Sequence, residues 1–303
     1  MGKLKLRKKK KKRFKIKIMF LTMMFISSLY FMFQYLVSSD LEITDKRIVE
    51  YLLKDYNDNK IVEDEVLKKL SSLLDINNIL SMDKPKEKEV AYVSNETGKP
   101  LVYIYNSHQT EEYKKETLAE FAVSPTVFVA DYIMQDRLKQ NKIDSIVEEK
   151  SVTEIRKING WNYSGCYRAS RVLMEEAFKN NSSLKYFIDI HRDSLDRGRT
   201  TINIEGREFA KIIFLIGLEN PNYQENLNFT EIINNKINEK YPGLSKGIYK
   251  KGGEGVNGVY NQDFSKYTIL IEIGGEENTI TEVMNTTLVI SDVISEVILE
   301  NEK

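Results

Sequence analysis

The strongest feature in the pattern of apolar and polar positions is an uninterrupted apolar run from Ile18 to Val37, IMFLTMMFISSLYFMFQYLV, which contains no charged residue. A helix of about 20 such residues crosses a hydrocarbon core of roughly 30 Å, so the run predicts a transmembrane helix. A cleavable signal peptide would carry a shorter apolar region of about 7 to 15 residues ending in a small-residue cleavage site, and Val37-Ser38-Ser39-Asp40 is a poor one. Beyond the run the spacing becomes helical. Ile48, Tyr51 and Leu52 follow a helix start at Thr44 or Asp45, and Val62, Val66, Leu67, Leu70, Leu73 and Leu74 recur at intervals of a helical turn. These segments predict a helical neck, ended by the turn formers Asn95-Glu96-Thr97-Gly98-Lys99-Pro100.

From Leu101 short apolar runs alternate with helical stretches, the pattern of an α/β fold with a twisted central sheet flanked by helices. The predicted strands are Leu101–Tyr105, Phe187–Ile190, Ile212–Ile216 and Thr268–Ile273. Ser124 before Pro125 predicts a helix start, and Thr279 with Glu282 predicts a capping box for a last helix running toward Leu299. The resulting division is a basic tail over residues 1–17, a transmembrane helix over 18–37, a helical neck over 38–98 and a catalytic domain over 99–303.

Charge gives this division a direction. The formal net charge is zero, from 45 Lys and Arg against 45 Asp and Glu, but eleven of the basic residues fall within the first seventeen positions. Such a cluster stays on the cytoplasmic side of a membrane, which places everything from Ser38 onward outside. Without those eleven, 34 basic residues face 45 acids, a balance of −11 that argues against a nucleic-acid partner. The basic tail itself reads as a topology signal with some affinity for anionic lipid. A single cysteine, Cys166, excludes an intrachain disulfide and a cysteine-based structural zinc site, and is expected to pack on a helix face.

The chain contains two histidines, His108 after the run LVYIYNS and His191 after YFIDI. In open α/β sheets ligands gather beyond the carboxyl ends of strands, so two strand-end histidines point to one rim. Glu111 stands three residues after His108, in a loop expected to turn into a helix, and Glu272 interrupts the apolar strand Thr268–Ile273. An isolated carboxylate is costly to bury and is retained where it is paired, metal-bound or catalytic. The plainer reading of Glu272 is an outward-facing residue on an edge strand. Two histidines and one glutamate make a catalytic rather than a structural zinc set, because three protein ligands leave a position for water. Glu272 then suits proton transfer from the water to the leaving amine. Asp189 or Asp193 could hold the His191 ring, and Arg192 between them is a further candidate for supporting a ligand or holding substrate. The loop Gly252-Gly253-Glu254-Gly255 reads as flexible.

These pieces resemble the stage II sporulation protein P family, relatives of the zinc-dependent N-acetylmuramoyl-L-alanine amidases. The resemblance lies in IYNSHQTEEY, in Tyr167-Arg168-Ala169-Ser170, in IDIHRDS, in the hydrophobic strand leading to Asn220-Pro221, and in ILIEIGGEENT, which follow in the family's order from Leu101 to the C-terminus. It implies an amidase-like fold, zinc held by His108, Glu111 and His191, and Glu272 as the catalytic carboxylate. It also implies cleavage of peptidoglycan between muramic acid and L-alanine and at stem-peptide cross-links, during engulfment in endospore formation, with the sporulation proteins D and M as partners. Two departures stand out: Ser107 before His108 where Thr is expected, and Glu112-Tyr113, whose glutamate leaves the carboxylate ligand open between Glu111 and Glu112, with Glu120 a more distant candidate. The competing readings are a non-enzymatic anchored wall-binding or scaffold protein with a decayed site, and a metal-free glycosidase using Glu272 and Asp193.

Overall fold

The computed structural model describes residues 44–54, 56, 98–118 and 121–303. The basic tail, the apolar run 18–37, the helical pattern from Val62 to Leu74 and Glu120 all lie outside the described residues. No described helix is long and apolar enough to cross a membrane.

A six-stranded mixed sheet organises the chain from residue 99 on. Its strands are β1 (Val102–Tyr105), β4 (Ser145–Val147), β5 (Tyr186–Asp193), β8 (Ile212–Gly217), β9 (Ser245–Lys251) and β10 (Thr268–Gly275), in the spatial order β4-β1-β5-β10-β8-β9. The pairs β4–β1, β1–β5, β5–β10 and β8–β9 are parallel, and β10–β8 is antiparallel. Two small hairpins, β2 (Glu116–Leu118) with β3 (Phe121–Val123) and β6 (Thr201–Ile204) with β7 (Arg207–Ala210), stand apart from it. The helices are α1 (Phe128–Gln140), α2 (Val152–Ile158), α3 (Cys166–Asn180), the single turn α4 (Arg197–Thr200), α5 (Tyr223–Lys240) and α6 (Ile280–Asn301).

Side chains alternate across a strand, and here the alternation separates two environments. Val102 and Ile104, Ile188 and Ile190, and Ile269, Ile271 and Ile273 face the main core, which α1, α5 and α6 supply with Met134, Leu138, Ile233, Ile237, Val283, Ile290 and Ile294. Tyr103, Tyr105 and Phe187 point to the other face, where Met174 of α3 packs on them. Cys166 is buried on α3 among Val152, Ala169 and Leu173, as a packing residue.

The four predicted strands exist with slightly different limits. Strand β10 lies between β5 and β8, so Glu272 is not on an edge strand. The capping box of the last helix is present: the Thr279 side chain accepts from Glu282 N, and the Glu282 side chain accepts from Thr279 N. The helix expected at Ser124-Pro125 begins instead at Phe128, because residues 125 and 126 are engaged elsewhere: Tyr113 N donates to Pro125 O, Thr126 bridges to Glu112, and Thr126 donates twice to Asp45. Asp45 opens the helical residues 45–54, whose Ile48, Val49 and Leu52 are buried while Tyr51 is exposed. The loop at Gly252–Gly255 is irregular and exposed, with Gly253 N donating to Glu219 Oε1.

The glycine pair that ends β10 has a steric reason. Gly274 has φ +67°, and a Cβ there would lie 2.7 Å from Asn278 Oδ1 and 2.9 Å from Ala210 Cβ. Gly206, in the β6–β7 turn, has φ +84° with nothing within 4 Å of a Cβ. Replacing Gly206 by Ala should therefore cost only the left-handed backbone penalty, roughly 1–2 kcal/mol, whereas Gly274→Ala adds overpacking of about 1–3 kcal/mol. Urea unfolding of the two variants measures the difference, and equal losses would remove crowding as the reason for Gly274.

Candidate metal centre

Strands β1, β5 and β10 are parallel neighbours, so their carboxyl ends form one rim. The register pairs Glu272 with His191 on adjacent strands, which puts both side chains on the α3 face with Asp189 two residues before His191. His108 reaches the same place from the turn that follows β1. That turn does not lead into a helix. Glu111 N donates to His108 O, and the chain then becomes extended, with Val127 N donating to Glu111 O.

The turn brings Glu111 between the two rings. His108 Nδ1 lies 3.3 Å from Glu111 Oε1, and His191 Nδ1 lies 3.4 Å from Glu111 Oε2. Donor atoms of the three residues all fall within 4.8 Å of one another. For a tetrahedral ion with bonds of about 2.0–2.1 Å, neighbouring ligand atoms stand roughly 3.3–3.4 Å apart. The spacing and the donor chemistry, two imidazoles and one carboxylate, fit zinc. Glu112 is separate from this group: its side chain is 51% exposed and its carboxylate lies 3.8 Å from Lys115 Nζ.

Each member is held from behind. Asp189 is fully buried, and its Oδ1 lies 3.0 Å from His191 Nε2. Ser107 donates to Asp189 through its backbone N–H at 2.9 Å and its hydroxyl at 2.8 Å, and that hydroxyl is also 2.9 Å from His191 Nε2. With Nε2–H directed at this pair, a neutral His191 presents its lone pair on Nδ1, toward Glu111. A hydroxyl is what position 107 supplies, and Ser provides it as Thr would. Glu111 is fixed by Arg192 N, which donates to Oε2 at 3.0 Å, while Arg192 Nε donates to Glu112 O. Asp193 accepts from Leu195 N, in the turn that leaves β5.

Sequence reasoning missed the aromatic wall. Tyr167 of α3 stacks on His191 with centroids 6.4 Å apart and meets His108 edge-on at 5.4 Å. Tyr163 stacks on His108 at 5.2 Å and is 58% exposed, and Tyr260 meets Tyr167 edge-on at 5.3 Å. The tyrosines read individually as packing residues, and only the position of α3 against the rim gathers them. Asn106 and Asp131 were also missed: buried Asn106 donates to Asp131 Oδ1 and to Ile190 O, beneath the site.

Electrostatics reflect the crowding. Burial disfavours a charged His108, but hydrogen bonding to Cys166 and Glu111 outweighs it and raises the ring to about 9. Burial likewise opposes charge on His191, and Asp189 and Glu111 overcome it, raising that pKa well above its ordinary value. Burial would raise Glu111, yet the two rings and Arg192 N hold it well below the usual carboxylate range. Glu272 is raised, first by burial, with His191 opposing and Asp193 and Glu111 contributing.

A family model for Stage II sporulation protein P (SpoIIP) matches residues 35–295. The chain belongs to the stage II sporulation protein P family. It is 35% identical over 212 residues to the Stage II sporulation protein P of Bacillus subtilis (strain 168), covering 68% of this chain and 53% of that protein. The chain thus spans about half the length of the curated relative it matches. Among solved structures, this SpoIIP-family chain is similar to Cwp6 from Clostridium difficile, with TM-score 0.42, 14% identity, 67% of this chain and 30% of that one. It is also similar to the CwlD amidase from Clostridioides difficile in complex with the GerS lipoprotein, with TM-score 0.44, 11% identity, 65% of this chain and 98% of that one. A third is the N-acetylmuramoyl-L-alanine amidase AmiC2 of Nostoc punctiforme, with TM-score 0.35, 12% identity, 67% of this chain and 97% of that one.

The raised histidines set an expectation for metal uptake. Both rings hold their proton more tightly than a free imidazole does, and a ring nitrogen can bind an ion only after losing its proton. Zinc uptake at neutral pH should therefore release protons, and apparent affinity should keep rising with pH to about 9, where His108 loses its proton unaided. Calorimetric titration in buffers of different ionisation enthalpy measures this. Affinity that stays flat from acid to alkaline pH would contradict protonated rings.

Proposed function

We propose that this SpoIIP-family chain is a membrane-anchored, zinc-dependent peptidoglycan hydrolase that acts outside the cytoplasmic membrane as an N-acetylmuramoyl-L-alanine amidase and as an endopeptidase on stem-peptide cross-links. Its place in the cell is septal wall thinning and engulfment during sporulation, with the sporulation proteins D and M as partners. The observation that carries this reading is the convergence of His108, Glu111 and His191 on one point of the rim, with Glu272 beside His191 on the next strand. The anchor and its orientation rest on the apolar run 18–37 and the basic residues before it.

His108 and His191 would hold zinc through Nδ1 and Glu111 through its carboxylate. A zinc ion held there would supply a Lewis acid for the scissile carbonyl and the attacking water. Glu272 takes the proton of that water on its carboxylate and hands it to the departing amine. Burial raises the Glu272 pKa, which makes its carboxylate a better proton acceptor. Asp189 and Ser107 keep His191 from rotating, and Arg192 N keeps Glu111 between the rings. Tyr163, exposed and stacked on His108, forms one wall of the approach.

The test is release of free L-alanine amino groups and of separated stem peptides from purified cell wall by the full chain in detergent. His108→Ala and His191→Ala should abolish both releases. Glu272→Gln should lower them by about 10²-fold or more while zinc content is unchanged. A folded chain that binds wall but contains no zinc would favour the scaffold reading, and glycan fragments with intact lactyl amides would favour a glycosidase.

A further inference from the structure

We propose that Asp45 is a positioning residue for Glu111, acting through Thr126, so that residues 45–54 work as part of the catalytic unit. The proposal rests on His108, Glu111 and His191 being a metal site.

Glu111 lies in neither a helix nor a strand. Its carboxylate is held by Arg192 N, but its backbone depends on a short pairing with residues 125–127. Val127 N donates to Glu111 O at 3.0 Å, Glu112 and Thr126 form an antiparallel bridge, and Tyr113 N donates to Pro125 O at 2.8 Å. An error of 1 Å in this pairing would move the carboxylate out of reach of the two rings, so whatever fixes Thr126 also fixes Glu111.

Thr126 is fixed by Asp45. Its N–H donates to Asp45 Oδ1 at 3.0 Å and its hydroxyl to Asp45 Oδ2 at 2.7 Å, occupying both carboxylate oxygens. Thr126 Oγ1 in turn accepts from Phe128 N at the start of α1, where the Val127 cap position offers no side-chain bond of its own. Asp45 is brought to this point by a helical segment anchored through Ile48, Val49 and Leu52, at 1%, 3% and 8% exposure, and by Lys46, which lies over the Tyr132 ring and 3.9 Å from Glu149. Burial pushes the Asp45 carboxyl up, and the two Thr126 bonds pull it back. A partly buried carboxylate with both oxygens on one residue locks that residue in place, whereas an apolar side chain would merely fill the space. In sequence, Asp45 stands eight residues after Val37.

The test uses the full chain in detergent with Co²⁺ alone as the probe, reading its dissociation constant and visible absorption together with thermal unfolding. Asp45→Asn and Thr126→Val should each weaken Co²⁺ binding by about 10- to 100-fold, the range for residues that orient metal ligands, and should alter the spectrum of the bound ion. Thr126→Ser keeps the hydroxyl and should restore both. Ile237→Ala opens the core beneath α5, away from the rim and from residues 45–54, and should lower thermal stability while leaving Co²⁺ affinity and spectrum as in the parent. Unchanged Co²⁺ binding in Asp45→Asn and Thr126→Val, or an equal loss in Ile237→Ala, would overturn the positioning role alone. A parent chain that binds no Co²⁺ would overturn the metal reading and this proposal with it.

Discussion

The parallel register of β1, β5 and β10 is the constraint on which the rest of the site depends. Because side chains alternate with period two, the pairing of Glu272 with His191 assigns both to one face and leaves Ile190, Ile271 and Ile273 to the other. A slip of one residue would bury His191 and Glu272 in the core supplied by α1, α5 and α6 and turn isoleucines toward α3. The register therefore protects the chemistry and the core by the same means. The Gly274-Gly275 end of β10 serves this arrangement: the backbone there passes too close to Asn278 and Leu195 O to admit a side chain.

Around that frame the site concentrates charge that the chain alone balances poorly. Glu111, Asp189 and Glu272 crowd two histidine rings, with Asp131 beneath them hydrogen-bonded to Asn106 and raised well above its ordinary value by burial. Without metal, the surrounding carboxylates draw protons onto both rings and raise their pKa values. A divalent cation at the point where the three donors meet would replace those protons with charge of the same sign, which is why metal and proton compete there. Asp189 then takes on a second meaning: it fixes the ring whether His191 is charged or bound.

Much of this was legible in the sequence, for reasons that can be named. Continuous apolar runs mark strands buried on both faces, so β1, β5, β8 and β10 stood out, while β9 did not: Ser245–Lys251 is an edge strand whose lysines protect an open side of the sheet, and it carries no apolar pattern. Two histidines at strand ends were visible because the chain has no others. The choice between Glu111 and Glu112 was not, since it depends on a turn closed by His108 O and on pairing with Val127, a contact between segments sixteen residues apart. The false helix start at Ser124-Pro125 has the same origin. The local signal was a plausible cap, but Thr126 was taken by Asp45, 81 residues away in the chain. Tyr163, Tyr167 and Asp45 carry no local signature of their role, because α3 and the helical segment 45–54 acquire it only by docking.

The most direct measurement is zinc-edge X-ray absorption on the full chain loaded with one equivalent of zinc. The account predicts two nitrogen ligands at about 2.0–2.1 Å and carboxylate oxygen at about 2.0–2.2 Å, with one nitrogen lost in His191→Ala. A sulfur ligand at about 2.3 Å, placing Cys166 on the ion, or a folded chain that retains no zinc, would contradict it.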